Sequence, residues 1–185
     1  MGAVAPPKVL SDIENLYCGS VYPGPQFFEG CETALCLFSA EWLGMQDAYW
    51  IAKHGMTGTC VDLQADQLAQ MRELYPEGWE FVEGDVYDVT LAWLPHGRPG
   101  YGRQWDAVTL DPWTGQFQKC SELLDRWTTL ARKTVVLGHG NYRLTRPEAP
   151  EGWTMTQAIL RSDFKGGVYW LVFQRDYPAH RPEFA

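Results

Sequence analysis

The sequence predicts an α/β fold: a mixed seven-stranded sheet that ends in an antiparallel hairpin and carries helices on both faces. Short apolar runs of strand length alternate with stretches of helical periodicity, a pattern typical of βαβ units and a mainly parallel sheet. The last two apolar runs, at 154–160 and 168–173, have no helix between them, so they are expected to pair antiparallel. The chain has 185 residues and is 45% hydrophobic, which is enough to bury one core of this kind.

The predicted elements follow one another regularly from residue 33 onward. Strands are predicted at 34–38, 57–61, 79–82, 105–110 and 134–137. Helices are predicted at 44–54, 65–75 and 117–131, with a weaker helical stretch after residue 86. Gly55 and Pro76 favour helix ends, because glycine adopts left-handed backbone and proline cannot continue a helix.

This pattern delimits one α/β domain at 33–176. An N-terminal arm at 1–32 is rich in glycine, proline and aromatic residues, and we expect it to pack on the domain. Residues 177–185 form a short C-terminal tail.

The charge of the chain is uneven along its length. The net charge is −8, but residues 1–97 hold 3 Lys/Arg against 14 Asp/Glu, whereas residues 98–185 hold 12 against 9. A locally basic face would allow contact with nucleic acid. Its candidate members are Arg98, Arg103, Arg132, Lys133, Arg143 and Arg146. A solvated surface of mixed charge is the simpler interpretation.

The five cysteines are odd in number and lack Cys-x-x-Cys spacing, so the sequence predicts neither a disulfide framework nor a zinc site. Cys36 and Cys60 lie in apolar runs and are predicted to be buried thiols of a reducing compartment. No apolar run approaches the roughly 20 residues that span a bilayer, and residues 1–8 lack the apolar core of a secretory signal. We therefore expect a cytoplasmic protein without a membrane partner.

The end of the fourth strand is the most informative segment for function. There a β-favouring run stops at Asp111-Pro112-Trp113. Proline ends the strand because it has no N–H for the ladder, and ligands of α/β sheets bind where strands end. The segment offers a hydrogen-bond acceptor and a flat stacking surface, which points to a planar ligand with N–H or O–H donors. A turn whose tryptophan packs on the core is the alternative.

Two more carboxylates follow strands. Asp62 follows the second strand, where an acid can accept hydrogen bonds from ribose hydroxyls, or can cap the next helix. Asp85 follows the third strand, where it can accept from an adenine amine or serve in an ordinary turn.

This order of strands and acids resembles the class I S-adenosylmethionine-dependent methyltransferases over residues 33–175. The resemblance implies a Rossmann-like sheet, S-adenosylmethionine as the cofactor and a glycine-rich turn after the first strand. The cofactor-binding residues that it implies are Ser39, Ala40, Glu41, Gly44, Asp62, Leu63, Asp85 and Val86. The turn departs from the family pattern, since Gly44 is the only one of the family's glycines that remains in it.

Asp111-Pro112-Trp113 resembles the Asp-Pro-Pro-aromatic signature of enzymes that methylate amino nitrogens. In those enzymes the acid and the proline carbonyl hold the target amine, and the aromatic side chain stacks on its ring. The resemblance therefore implies that Asp111, Pro112 and Trp113 are catalytic and that the acceptor is an amino nitrogen of a nucleobase or a small molecule. The second proline of the signature is missing here.

The leading hypothesis is thus a methyltransferase that aligns an amine with the cofactor methyl group. One alternative is an inactive module of the same fold that acts by binding a protein partner, since the turn at 39–44 is degenerate. A second alternative is a dinucleotide-dependent oxidoreductase. The sequence disfavours it, because no Gly-x-Gly-x-x-Gly motif follows the first strand. His139, at the end of the fifth strand, is a candidate general base that this methyl transfer does not require.

Overall fold

The architecture was obtained as a computed structural model, and it describes residues 25–40, 47–95, 102–112, 115–139, 147–161 and 168–176. These ranges contain seven strands: β1 (Thr33–Leu37), β2 (Thr57–Asp62), β3 (Glu80–Glu83), β4 (Trp105–Leu110), β5 (Ala131–His139), β6 (Trp153–Arg161) and β7 (Val168–Arg175). The helices are α1 (Ala48–Lys53), α2 (Ala65–Leu74), α3 (Val86–Ala92), α4 (Phe117–Glu122) and α5 (Leu124–Leu130). A short 3₁₀ helix, Pro25–Phe28, precedes β1.

All seven strands form one sheet in the order β3-β2-β1-β4-β5-β7-β6. The strands β1 to β5 pair in parallel, and β7 lies antiparallel between β5 and β6. This confirms the predicted mixed sheet and its C-terminal antiparallel pair.

The core has two parts, one on each face of the sheet. Because side chains alternate along a strand, β1 sends Ala34 and Cys36 to one part and Leu35 and Leu37 to the other. Helices α1 and α2 cover the first face, and α4 and α5 cover the second. Helices on both faces are therefore confirmed, as is the burial of the Cys36 and Cys60 thiols.

The predicted helix at 117–131 is wrong in two respects. Leu123 leaves helical geometry at φ −102° and ψ 20°, so α4 and α5 are separate helices. The indole of Trp127 donates to the carbonyl of Cys120 at 2.9 Å and occupies it at this break. Ala131 begins β5 instead of ending a helix, because it pairs with Trp105 of β4. The predicted strand at 134–137 is accordingly longer at both ends.

The last residues of the arm lie against the sheet. Phe27 and Phe28 are buried in the core, and the hydroxyl of Thr134 donates to the carbonyl of Phe27 at 2.8 Å. Asp106 on β4 accepts from the backbone N–H groups of Glu32 and Thr33 at 2.9 and 3.2 Å. Across the described ranges, no helix combines the length and apolar character needed to cross a membrane.

Candidate functional site

The segments that follow the parallel strands lie side by side at one edge of the sheet. The parallel hydrogen bonding continues past the strand ends: Phe38 N–H donates to the Val61 carbonyl and Asp111 N–H to the Leu37 carbonyl, both at 3.1 Å. Because β1 lies between β2 and β4, the connections on its two sides run in opposite directions. Such a switch point opens a crevice at the carboxyl ends of the strands.

The turn after β1 begins with an unusual backbone conformation. Phe38 has φ 60°, a left-handed value that is rare for a residue with a side chain. Its ring packs on that of Tyr87, with centroids 5.6 Å apart. Ser39 and Ala40 follow and are buried, whereas Glu41 and Gly44 lie outside the described residues. A side chain therefore stands where this turn would favour glycine, and packing holds it there.

Asp62 is held in a fixed orientation beneath this turn. It is 7% exposed, and its two oxygens accept from Ala40 N–H at 2.9 Å and Gln64 N–H at 3.1 Å. A carboxylate offers about four acceptor sites, so the donors among the described residues leave each oxygen capacity for one more. The side chain of Leu63, next to it, is 66% exposed, which is unusual for a leucine and provides an apolar surface beside the carboxylate.

Asp85 serves as the N-cap of α3. Its Oδ1 accepts from Tyr87 N–H at 2.7 Å and from Asp88 N–H at 3.3 Å, so one oxygen of the carboxylate is used in capping the helix. The residue is nevertheless exposed, and its Oδ2 accepts no recorded hydrogen bond from the described residues. The side chain of Val86 is only 2% exposed and packs in the core, so the predicted cofactor contact of Val86 is left to its backbone.

The predicted catalytic segment is described in part. Asp111 is half-buried and Pro112 is buried, directly after β4 and next to the end of β1. Trp113 lies outside the described residues, and only the backbone of His139 is described. Among the described residues, no group of His, Cys, Asp and Glu side chains has the arrangement of a metal site.

Sequence reasoning missed Asp47, which is fully buried at this edge. Its carboxylate accepts from the Ser39 hydroxyl, the Thr109 hydroxyl and Ala48 N–H, each at 2.6 Å. Burial raises its pKa to about 6; the three hydrogen bonds oppose that shift and the charge of Asp62 adds to it. An acid just before an apolar helical stretch is an N-cap signal, and that signal was available in the sequence.

Three of the arginine and lysine side chains that could form a basic face are described, and they lie at the opposite edge. Arg132 pairs with Asp106 at 3.0 Å, near the start of β4, and Arg103 pairs with Glu80 at 2.5 Å, at the start of β3. The ammonium group of Lys133 lies 4.0 Å from the Asp106 carboxylate. The remaining predicted members, Arg98, Arg143 and Arg146, fall outside the described residues. Arg103, Arg132 and Lys133 thus lie beside carboxylates at this edge and do not line the candidate site.

Solved structures resemble this architecture. TrmN from Thermus thermophilus superimposes with a TM-score of 0.58 at 15% identity, over 90% of this chain and 48% of that one, so this chain spans about half of TrmN. An O-methyltransferase from Bacillus cereus, in complex with S-adenosylhomocysteine, gives a TM-score of 0.59 at 13% identity over 90% of both chains. A magnesium protoporphyrin IX methyltransferase from Synechocystis, with the same compound bound, gives 0.55 at 12% identity over 79% of this chain and 74% of that one.

This chain has the fold of the class I S-adenosylmethionine-dependent methyltransferases. At such low identity, the likeness concerns the fold. A comparison with protein-family models finds no match, and a comparison with the curated proteins finds none. The residues that follow β1, β2, β3 and β4 occupy the edge where a sheet of this order opens its crevice.

Proposed function

We propose that the protein is an S-adenosylmethionine-dependent methyltransferase whose acceptor is an amino nitrogen of a nucleobase or a small molecule. One observation carries the proposal: carboxylates follow β2, β3 and β4 at the crevice edge, and the donors among the described residues leave acceptor capacity on the first two. The fold adds support, because two of the similar proteins were crystallised with S-adenosylhomocysteine.

The residues fit the cofactor in chemical terms. Asp62 is pre-oriented by two backbone N–H groups, so it can accept from two ribose hydroxyls without paying the full entropy of ordering its side chain. The exposed Leu63 offers an apolar surface to a purine ring, and Asp85 Oδ2 can accept from the exocyclic amine. The two carboxylates and the apolar Leu63 side chain are thus complementary to the hydroxyls, the amine and the ring of a nucleoside.

Asp111 and Pro112 would hold the acceptor amine. S-adenosylmethionine, when bound, would supply an electrophilic methyl group on a sulfonium, and the S–C bonding electrons would return to sulfur as the amine lone pair forms the N–C bond. Asp111 accepts a hydrogen bond from the amine N–H and aims its lone pair, so that alignment supplies most of the rate enhancement. The proton that the methylated nitrogen loses passes to Asp111 or to water.

The test of the cofactor site is calorimetric titration with S-adenosylmethionine and S-adenosylhomocysteine. We expect one-site binding that Asp62→Ala weakens by more than about 100-fold, since two hydroxyl contacts to a charged group are lost. Asp125→Asn removes an exposed carboxylate on α5 and is the matched control, which should bind as the unsubstituted protein does. Absence of binding by a folded protein would overturn the proposal and favour a non-catalytic binding module.

The test of the acceptor role uses labelled methyl transfer to a panel of nucleosides, RNA, DNA and small amines. We expect Asp111→Ala to abolish transfer to the accepted compound while the cofactor affinity stays within about twofold. Retained transfer would show that Asp111 does not hold the acceptor.

A further inference from the structure

The hydroxyl of Ser39 lies between two acceptors. It is 2.6 Å from Asp47 Oδ2 and 3.1 Å from the carbonyl of Leu37, and the residue is 2% exposed. A hydroxyl carries one hydrogen and can donate it to one acceptor at a time. With an ionised Asp47, the Ser39 hydroxyl donates to the carboxylate, and the Leu37 carbonyl accepts from Asp111 N–H at 3.1 Å.

A protonated Asp47 permits a second arrangement. Its Oδ2–H donates to Ser39 Oγ, and the hydroxyl of Ser39 then turns to the carbonyl of Leu37. Burial raises the pKa of Asp47 to about 6, so both arrangements are accessible near neutral pH. The cluster therefore has two hydrogen-bond states that differ by one proton and by the direction of the Ser39 hydroxyl.

Two carboxylates hold two successive residues of the turn after β1. Asp47 holds the side chain of Ser39, and Asp62 holds the backbone N–H of Ala40 at 2.9 Å. Asp47 also accepts from the hydroxyl of Thr109, one residue before the end of β4. A single buried side chain thus links the turn, β4 and the start of α1.

We propose that Asp47 is a positioning residue of the cofactor cleft, and that it couples cofactor affinity to pH because uptake of a proton from solvent by Asp47 reverses its hydrogen bond with the Ser39 hydroxyl. The proposal rests on the proposed function, since it concerns the same cleft. Asp47 acts through Ser39 and Thr109 and has no role in the chemical step.

The groups that face Asp47 disfavour its ionised form, and a cationic ligand nearby would therefore increase the ionised fraction. In the described part of the chain they are the thiols of Cys36 on β1 and Cys60 on β2, the carboxylate of Asp62 on β2 and the phenol of Tyr75 after α2, together with the hydroxyls of Ser39 and Thr109. Burial raises the pKa of both thiols and of the phenol, so these three groups remain neutral at physiological pH. The Asp62 carboxylate repels a second negative charge, and a cationic ligand relieves that repulsion.

The direction of the effect follows from charge. S-adenosylmethionine carries a sulfonium cation and favours ionised Asp47, whereas S-adenosylhomocysteine is a neutral thioether at the same sulfur. We therefore expect the affinity for S-adenosylmethionine to rise by about tenfold from pH 5 to pH 7.5, and the affinity for S-adenosylhomocysteine to rise less.

The experiment measures both affinities by calorimetry across this pH range, and follows the aspartate carboxyl carbons of the unliganded protein by NMR. Asp47→Asn removes the titratable carboxyl group but keeps the size of the side chain, and we expect it to flatten the pH profile of cofactor affinity. One carboxyl resonance should titrate near pH 6 and be absent from Asp47→Asn. Thr109→Val removes one donor to the carboxylate, so it should move that midpoint to higher pH.

The outcomes separate the two proposals. An unchanged pH profile in Asp47→Asn, or no carboxyl titrating between pH 5 and 7, overturns the role of Asp47 and leaves the methyltransferase proposal standing. Absence of cofactor binding at every pH overturns both. Should Asp47→Asn fail to fold, the shift of the midpoint in Thr109→Val decides: an unmoved midpoint overturns the role.

Discussion

The two edges of the parallel strands hold their carboxylates by different kinds of donor. At the amino edge, Asp106 and Glu80 are each paired with an arginine. At the carboxyl edge, the recorded donors to Asp47, Asp62 and Asp85 within the described residues are hydroxyls and backbone N–H groups.

The pKa values follow this difference. Burial acts to raise the pKa of Asp106, but hydrogen bonds from the Glu32 backbone and the Arg132 guanidinium outweigh it, and the pKa falls below its usual value. The pKa of Asp47 is raised instead, because its neutral donors do not offset burial. Asp106 and Glu80 at the amino edge are therefore neutralised by arginines and contribute stability, whereas Asp47, Asp62 and Asp85 at the carboxyl edge accept from neutral donors within the described residues, so a cationic ligand can compensate their charge.

The largest effect on stability is expected at Asp106. Asp106→Asn removes a carboxylate that accepts from two backbone N–H groups, the Thr33 hydroxyl and Arg132, so the free energy of unfolding should fall by about 3 kcal/mol. Urea denaturation measures it, with Asp125→Asn expected to lie within about 0.5 kcal/mol of the unsubstituted protein. The difference should shrink below about pH 4, because a group with a lowered folded pKa loses its contribution as pH falls through that pKa. A loss that persists unchanged in acid would contradict the ionic account.

The pH dependence of stability at Asp47 should have the opposite sign. A folded pKa raised to about 6 from 3.8 gives stability that is present below pH 3.8 and lost as pH rises through 6. The free energy of unfolding should therefore fall by about 2 kcal/mol more between pH 4.5 and pH 7.5 in the unsubstituted protein than in Asp47→Asn. Urea titrations at four pH values measure the two slopes, and equal slopes would show that Asp47 does not titrate in this range.

The smallest effect is expected at the Glu80–Arg103 pair. Both side chains are nearly half exposed, and Arg103 also lies 4.9 Å from the ring centroids of Trp93 and Trp105, which keep it in place without its partner. Glu80→Gln should cost about 0.5 kcal/mol, and salt should reduce that cost further. Glu83→Gln, at the other end of β3, is the matched control. A loss above about 1.5 kcal/mol would place this pair with Asp106 as a main support of the amino edge.

The sheet could be predicted from sequence because its strands are apolar runs with clear boundaries. Trp105–Leu110 begins and ends where the sequence predicted, since Pro112 and the preceding glycine-rich stretch bound it. The break at Leu123 could not be predicted, because the helical periodicity continues through it without glycine or proline. The length of β5 could not be predicted either, because pairing with β4 and β7 determines it.

The candidate site was predictable to the extent that carboxylates follow strands. Asp62, Asp85 and Asp111 could be located in this way, and their roles remain predictions. Asp47 could not be assigned to the site, because its partner Thr109 is 62 residues away and only folding brings the two together. Ser39 was predicted by resemblance, but its position between two acceptors depends on atomic distances.

Phe38 has a consequence for the order in which the protein opens. Its left-handed backbone is unfavourable by about 1 kcal/mol, and the structure around it must maintain that conformation. Local opening that releases the Phe38–Tyr87 contact would let the turn relax while the two-sided core stays intact. Amide hydrogens at Ala40 and Asp111 should therefore exchange with solvent sooner than those in the middle of β1 and β4, and the cleft would lose its shape in milder conditions than the sheet that carries it.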